Sequence, residues 1–302
     1  MRFSHWIPNS LSWSETVASG QFAEAVGYDG LWYADHFMPN AAEPADGPVH
    51  EVFPVMAALA ASVPRVRIGS LVAGNTYRHP AVLAKMISTI DHVSGGRVVL
   101  GLGAGWQENE HRAYGIEFNS FGWRFDRLEE ACQVLHGLFE NERFSFSGKH
   151  YTLENAPLDP KPLQLPLPFL IGGGGERRTL RIVAQYATEW NVWGTPELLA
   201  QKGAVLDRHC EAIGRDPSEL KRSAQALLFL SDDKVVLDRV RGMNIERPTI
   251  IGTPSEVQDI IGRYRDAGVD EVIVPGFTFR SSAEREDTLQ RFMTEVARPF
   301  VG

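Results

Sequence analysis

Leu170-Ile171-Gly172-Gly173-Gly174-Gly175-Glu176-Arg177-Arg178-Thr179-Leu180 runs from a short apolar segment into four glycines and out into helical spacing at Leu180, Val183, Ala184 and Ala187. A strand that stops on glycine and restarts as a helix leaves backbone N–H groups unpaired at the helix start. Those donors, with the helix dipole, make a site for an anion, usually a phosphate. A tight turn needing positive φ would use one or two glycines; four favour the anion cradle at Gly172, Gly173, Gly174 and Gly175.

The same strand-then-helix alternation fills the chain. Strand-like runs fall at 3–7, 30–34, 66–72, 98–102, 169–171, 189–192, 223–229 and 271–274. Helical patterns lie between and after them, at 13–25, 52–62, 81–94, 124–140, 179–186, 197–213, 255–267 and 283–296. Eight βα units in 302 residues predict an α/β protein, a closed (β/α)8 TIM barrel forming one domain over 1–302. A doubly wound sheet usually has fewer strands. Three connections, 38–50, 141–168 and 230–248, exceed what a βα loop requires and are read as insertions after strands two, four and seven. The second holds Phe144-Ser145-Phe146-Ser147-Gly148-Lys149-His150-Tyr151, two alternating runs around Ser-Gly-Lys, which predict a hairpin.

Composition narrows the function. The 43% hydrophobic fraction is that of a globular protein, and 30 basic against 38 acidic residues leave a charge of −8, so no nucleic-acid partner is expected. The longest apolar run, 53–63, is too short for a bilayer and contains Pro54 and Ser62, so no membrane span is expected. The opening Met1-Arg2-Phe3-Ser4-His5-Trp6 has no apolar signal core, which predicts a cytoplasmic protein. Cys132 and Cys210, far apart in helical patterns, predict neither disulfide nor zinc site.

In such a barrel the chemistry sits where strands end. Strand two ends in Ala34-Asp35-His36-Phe37, a carboxylate beside a group that titrates near neutrality, so His36 is the candidate acid/base residue. Strand three ends in Ser70-Leu71-Val72-Ala73-Gly74, where small residues allow close approach of a flat ligand. Strand four ends in Gly101-Leu102-Gly103-Ala104-Gly105-Trp106; the position three past Gly103 is Trp106, so the dinucleotide pattern fails. The glycine loop at 172–175 fails it too, with Arg177 where the last glycine should stand. Glu110 and His111 form no zinc-binding H-E-x-x-H, His111 reads as a satisfied surface or core residue, and no G-x-S-x-G occurs. Trp6, Phe37, Trp106, Trp190, Trp193 and Phe277 give an aromatic rim suited to a planar cofactor and a planar or apolar substrate.

Together these residues resemble the luciferase-like monooxygenase superfamily of flavin- and deazaflavin-dependent barrels. The most specific matches are Ala34-Asp35-His36-Phe37, Arg78-His79-Pro80-Ala81, Asp91-His92-Val93-Ser94-Gly95-Gly96-Arg97, the turn ending in Trp106 with Tyr114-Gly115, and Ile171-Gly172-Gly173-Gly174-Gly175 with Arg208-His209-Cys210. The set resembles the branch assigned to coenzyme F420, a 5-deazaflavin, with FMN as the alternative. The resemblance implies a ring backed by a non-proline cis peptide at Ser70-Leu71, with Asp35 at its edge. It implies Ala104, Gly105 and Asn109 along the ring or ribityl chain, the 172–175 loop on the tail phosphate, and His36 as proton donor or acceptor. It also implies a homodimer acting on a small molecule, fed by a separate reductase. Sugar-phosphate dehydrogenases of the superfamily carry a Glu where Trp106 stands here, which disfavours a sugar phosphate. Three activities follow as expectations: hydride transfer with F420, oxygenation with reduced FMN, or cofactor binding without catalysis.

Overall fold

The computed structural model describes residues 1–41 and 45–301, so part of the 38–50 excursion lies outside the described residues. Eight strands close a parallel barrel: β1 (Arg2–Trp6), β2 (Gly30–Tyr33), β3 (Arg67–Ser70), β4 (Val98–Gly103), β5 (Phe169–Gly172), β6 (Glu189–Trp193), β7 (Lys221–Gln225) and β8 (Glu271–Pro275). Each pairs with the next, Ile68↔Val98 joining β3 to β4, and β8 returns to β1 with Arg2↔Glu271 through Trp6↔Pro275.

The helices outside the ring are α1 (Trp13–Ala25), α2 (Val52–Ser62), α3 (Pro80–Ser94), α4 (Phe121–Glu140), α5 (Thr179–Tyr186), α6 (Pro196–Ala212), α7 (Pro254–Asp266) and α8 (Ser282–Arg291). Their starts are written locally. Ser12 with Glu15 and Thr253 with Glu256 form capping boxes that satisfy the first free amides of α1 and α7. Pro80, Pro196 and Pro254 stand at helix starts, where a missing N–H costs nothing.

Two predicted elements are corrected. The seventh strand, expected whole at 223–229, ends at Gln225; Leu227–Leu230 leaves the ring and pairs in parallel with Thr249–Gly252. The loop between them carries a helix, Lys234–Arg241, absent from the sequence reading. The third strand, expected at 66–72, breaks after Ser70, and the chain resumes as Ala73–Gly74 against Leu102 and Gly103 of β4. The predicted hairpin is present as Arg143–Ser147 paired with Thr152–Pro157.

The barrel interior is layered. At its base, where strands start, Glu189 and Glu271 receive Arg67 and Arg2, and the Trp32 indole donates to Glu271 at 2.9 Å. Above lies an apolar layer that includes Trp32, Val99, Leu170 and Ile273. The strand ends above this layer surround a cavity of about 1180 Å3. Among the described residues no helix is long and apolar enough to cross a membrane, and no His, Cys, Asp or Glu cluster could hold a metal ion.

Candidate active site

The cavity is lined from β1 by Trp6, from β2 by Asp35 and His36, from the strand-three break by Leu71 and Val72, and from β4 by Ala104, Gly105 and Trp106. Gly172 and Gly173 line it from β5, Trp193 from β6 and Phe277 from β8. These strand ends are far apart in sequence and meet only because the ring closes.

His36 is oriented from behind. Its Nδ1 lies 3.1 Å from Oε2 of Glu110, a fully buried carboxylate on the short helix Glu108–Ala113. Oε1 of Glu110 accepts the amides of Phe37 and, at 3.2 Å, Met38, while the Tyr77 hydroxyl donates to Oε2 at 2.6 Å. Burial pushes Glu110 toward its neutral form, but the bonds from His36, Tyr77 and the Phe37 amide together outweigh it and hold the carboxyl below its usual range. Burial, reinforced by the Glu110 carboxylate, pushes the Tyr77 phenol far up, so Tyr77 remains a donor. An ionised acceptor at Nδ1 places the ring proton there and leaves Nε2 with its lone pair. The Trp106 ring stands edge-on to the imidazole, centroids 5.7 Å apart, and is itself 59% exposed.

Asp35 lines the cavity, yet both its oxygens are occupied. Arg78 grips them at 2.7 and 2.9 Å, and the Gly74 amide donates at 3.0 Å. Its carboxylate therefore fixes the strand-three loop.

The strand-three break holds the non-proline cis peptide at Leu71-Val72, one residue later than the expected Ser70-Leu71. Leu71 and Val72 face the cavity, whereas the buried Ser70 hydroxyl donates to the Gly101 carbonyl at 2.8 Å and receives its amide at 3.0 Å. The neighbouring glycines make room for this bulge. A Cβ on Gly101 would lie 1.9 Å from the Ser70 carbonyl oxygen, and Cβ atoms on Gly103 and Gly172 would lie 2.8 and 3.0 Å from Val72 methyl carbons. Part of the glycine signal thus belongs to strand packing.

The glycine loop divides. Gly172 and Gly173 line the cavity together with Thr179, the first residue of α5, while Gly174 and Gly175 do not. Among the described residues, the amides of Gly174 and Gly175 make no hydrogen bond, whereas Gly173 donates to Asn191 at 2.9 Å. Arg124, also on the lining, donates to the Gly105 carbonyl at 2.5 Å.

Four more expectations need correction. Asn109 is off the cavity; its amide donates to the Ala41 carbonyl at 2.8 Å. Ser70 is off it for the reason above. Phe37 turns away to pack on Tyr77 and Tyr114, at centroid distances of 4.7 and 5.2 Å. Trp190 is fully buried behind the glycine loop, its indole N–H donating to the Gly173 carbonyl at 2.8 Å. His111 is satisfied as expected, Nδ1 on the Gln107 carbonyl at 2.7 Å and Nε2 against Thr76 at 2.6 Å. Glu110, the carboxylate that orients His36, is the site residue that the sequence reading passed over. Its signal was position alone, an acidic residue shortly after a strand end.

Comparison with known proteins shows the family and the fold. The family model described as "Luciferase-like monooxygenase" matches residues 1–242. An F420-dependent glucose-6-phosphate dehydrogenase of Amycolatopsis mediterranei is 37% identical over 166 residues, 55% of this chain; the chain spans about half, 47%, of that relative's length. An FMNH(2)-dependent dimethylsulfone monooxygenase of Pseudomonas putida is 25% identical over 92% of this chain and 90% of its own. Among solved structures, an F420-dependent secondary alcohol dehydrogenase in complex with an F420-acetone adduct superposes with a TM-score of 0.84 at 20% identity, covering 98% of both chains, which shows a shared fold.

Proposed function

The chain belongs to the luciferase-like monooxygenase family, and from that premise we propose that it is an oxidoreductase moving a hydride between coenzyme F420 and a small organic substrate. The observation that carries this reading is the buried Glu110–His36 pair at the cavity wall. A barrel that only bound a ligand would have no use for an imidazole held in one tautomer.

The residues present fit a deazaflavin. The cavity volume admits a tricyclic ring with a tail, the Leu71-Val72 bulge offers an apolar backing, and Ala104 with Gly105 leaves the opposite edge open. Thr179 at the start of α5, with the Arg124 cation, would hold the phosphate of the tail, and Gly172 and Gly173 leave room for its close approach. The deazaflavin supplies the hydride chemistry when bound. His36 supplies the proton. In substrate oxidation Nε2 takes the proton from the substrate hydroxyl as hydride leaves its carbon; in reduction the protonated Nε2 gives it back. Glu110 offsets the positive charge that the ring then carries. Trp106, Trp193 and Phe277 line the cavity with apolar surface, which favours a flat, apolar body over a sugar phosphate.

His36→Ala should slow turnover about 100-fold to 10,000-fold while changing the cofactor dissociation constant less than about threefold. Equal losses in both would remove His36 from the chemistry. The similarity to the FMNH(2)-dependent enzyme supports a second reading, a monooxygenase fed with reduced FMN by a partner reductase. Titration with both cofactors and an oxygen electrode separate the two: saturable F420 binding without oxygen uptake supports hydride transfer, and binding of FMN alone overturns it. We also read the protein as a homodimer, which light scattering on the purified protein tests.

A further inference from the structure

The arc of the cavity from β6 round to β1 differs from the glycine-lined arc at β4 and β5. Its wall is aromatic, with Trp6 edge-on to Phe277 at 4.8 Å and tilted against Trp193 at 5.8 Å. The returning limb of the strand-seven insertion brings Arg247 to this wall, its guanidinium 4.4 Å above the Trp193 ring. Arg247 lines the cavity and makes no hydrogen bond or ion pair among the described residues; Asp46, another charge on the lining, forms no ion pair with it. A guanidinium over an indole face with no partner in the protein has its N–H groups available, and those can take a carboxylate with two parallel bonds.

The floor of the same arc is polar and unpaired. The indole N–H of Trp6 and Oε1 of Gln225 are buried without partners, in cavity-lining residues that are 8% and 4% exposed. The two residues flank β8, Trp6 in register with Pro275 and Gln225 with Ile273. Buried polar atoms are nearly always paired, so an unmet donor and acceptor in residues that line a cavity point to groups on a ligand.

We propose that this arc is the substrate subsite and that the substrate is a planar carboxylate. Its flat body lies against Trp193 and Phe277, its carboxylate engages Arg247, and a polar group at its far end meets Trp6 and Gln225. The assignment rests on the oxidoreductase reading and supplies the substrate class that reading lacks. Arg124, on the opposite arc, is the cation that would meet the phosphate of the cofactor tail.

The test is binding of benzoate and of its neutral isostere benzamide, followed by tryptophan fluorescence and by saturation-transfer NMR, with and without oxidised F420. Benzoate should bind saturably and about tenfold or more tighter than benzamide. Arg247→Gln should bring benzoate to the level of benzamide, leaving benzamide and F420 affinities unchanged, and Arg247→Lys should fall between. Equal binding of the two probes, equal loss of both in Arg247→Gln, or binding of neither overturns the proposal. Loss of F420 binding with benzoate selectivity intact would instead defeat the oxidoreductase reading and leave the subsite standing.

Discussion

Replacing Glu110 by Gln tests the site at the point where its geometry is most constrained. The carboxylate accepts from four donors: the Phe37 and Met38 amides on Oε1, His36 Nδ1 and the Tyr77 hydroxyl on Oε2. Backbone amides cannot reverse their role, so the glutamine oxygen must stay with Phe37 and Met38 and its NH2 must face His36 and Tyr77. Tyr77 can turn its hydroxyl and accept. His36 can accept at Nδ1 only by moving its proton to Nε2, the nitrogen assigned to proton transfer. Every buried group then keeps a partner, and the stability cost is that of exchanging charged for neutral hydrogen bonds, about 2 kcal/mol. Turnover should fall about 100-fold to 10,000-fold, or about 3–5 kcal/mol of barrier, because the base is blocked while the shape is kept. Cofactor affinity should not change. The 15N–1H long-range spectrum of the imidazoles, with the His36 signals assigned by their loss in His36→Ala, reads the tautomer directly: Nδ1–H in the wild type, Nε2–H in the variant. A variant that keeps the Nδ1–H form, or turns over within about threefold of wild type, refutes the reasoning. Because the native Glu110 pKa is depressed, its contribution to stability is present above the usual carboxylate range and is lost as pH falls through the native value. The variant should therefore be less acid-sensitive than the wild type.

Other consequences are equally open to measurement. His5 is fully buried and burial lowers its pKa from 6.5 to about 4. The unfolded chain then binds the extra proton first, so stability should fall by about 3 kcal/mol as pH drops from 6.5 to 4; urea titrations of wild type and His5→Gln should converge in acid, and parallel curves would contradict this. Trp190→Phe removes the donor to the Gly173 carbonyl. It should weaken F420 binding about fivefold to tenfold, by roughly 1 kcal/mol, in a fluorescence titration. Gly101→Ala places a Cβ 1.9 Å from the Ser70 carbonyl oxygen. It should destabilise by about 3 kcal/mol or more and lower Tm by roughly 6–12 °C in calorimetry.

The legible part of this molecule was its local grammar. Eight strand-like runs alternating with helical spacing were enough for the barrel, and the Asp35-His36 pair stood out because a βα loop puts its chemistry where a strand ends. What stayed hidden depends on distant contacts. Glu110 lies 74 positions from His36, and only ring closure places it behind the imidazole. The Ser70 and Asn109 side chains point to neighbouring backbone carbonyls, a choice that no spacing in the sequence encodes. Trp190 looked like a rim aromatic, yet its register against Ile171 of β5 turns it into the packing behind the loop. The seventh strand read as continuous because Ser223 to Phe229 is apolar enough for either path; pairing with Thr249–Gly252 decided it.

The charged base of the barrel has a consequence for traffic. Arg2, Arg67, Glu189 and Glu271, with the Trp32 indole, occupy the strand starts, and the cavity lies at the strand ends, the side from which cofactor and substrate would both enter. Two molecules that share one door must queue. In the proposed reading the larger, phosphate-bearing molecule is seated against the Leu71-Val72 bulge before the smaller enters, and leaves after it. Kinetics should accordingly show compulsory order, with the two redox forms of the deazaflavin competing against each other and the product inhibiting in a mixed pattern against the substrate.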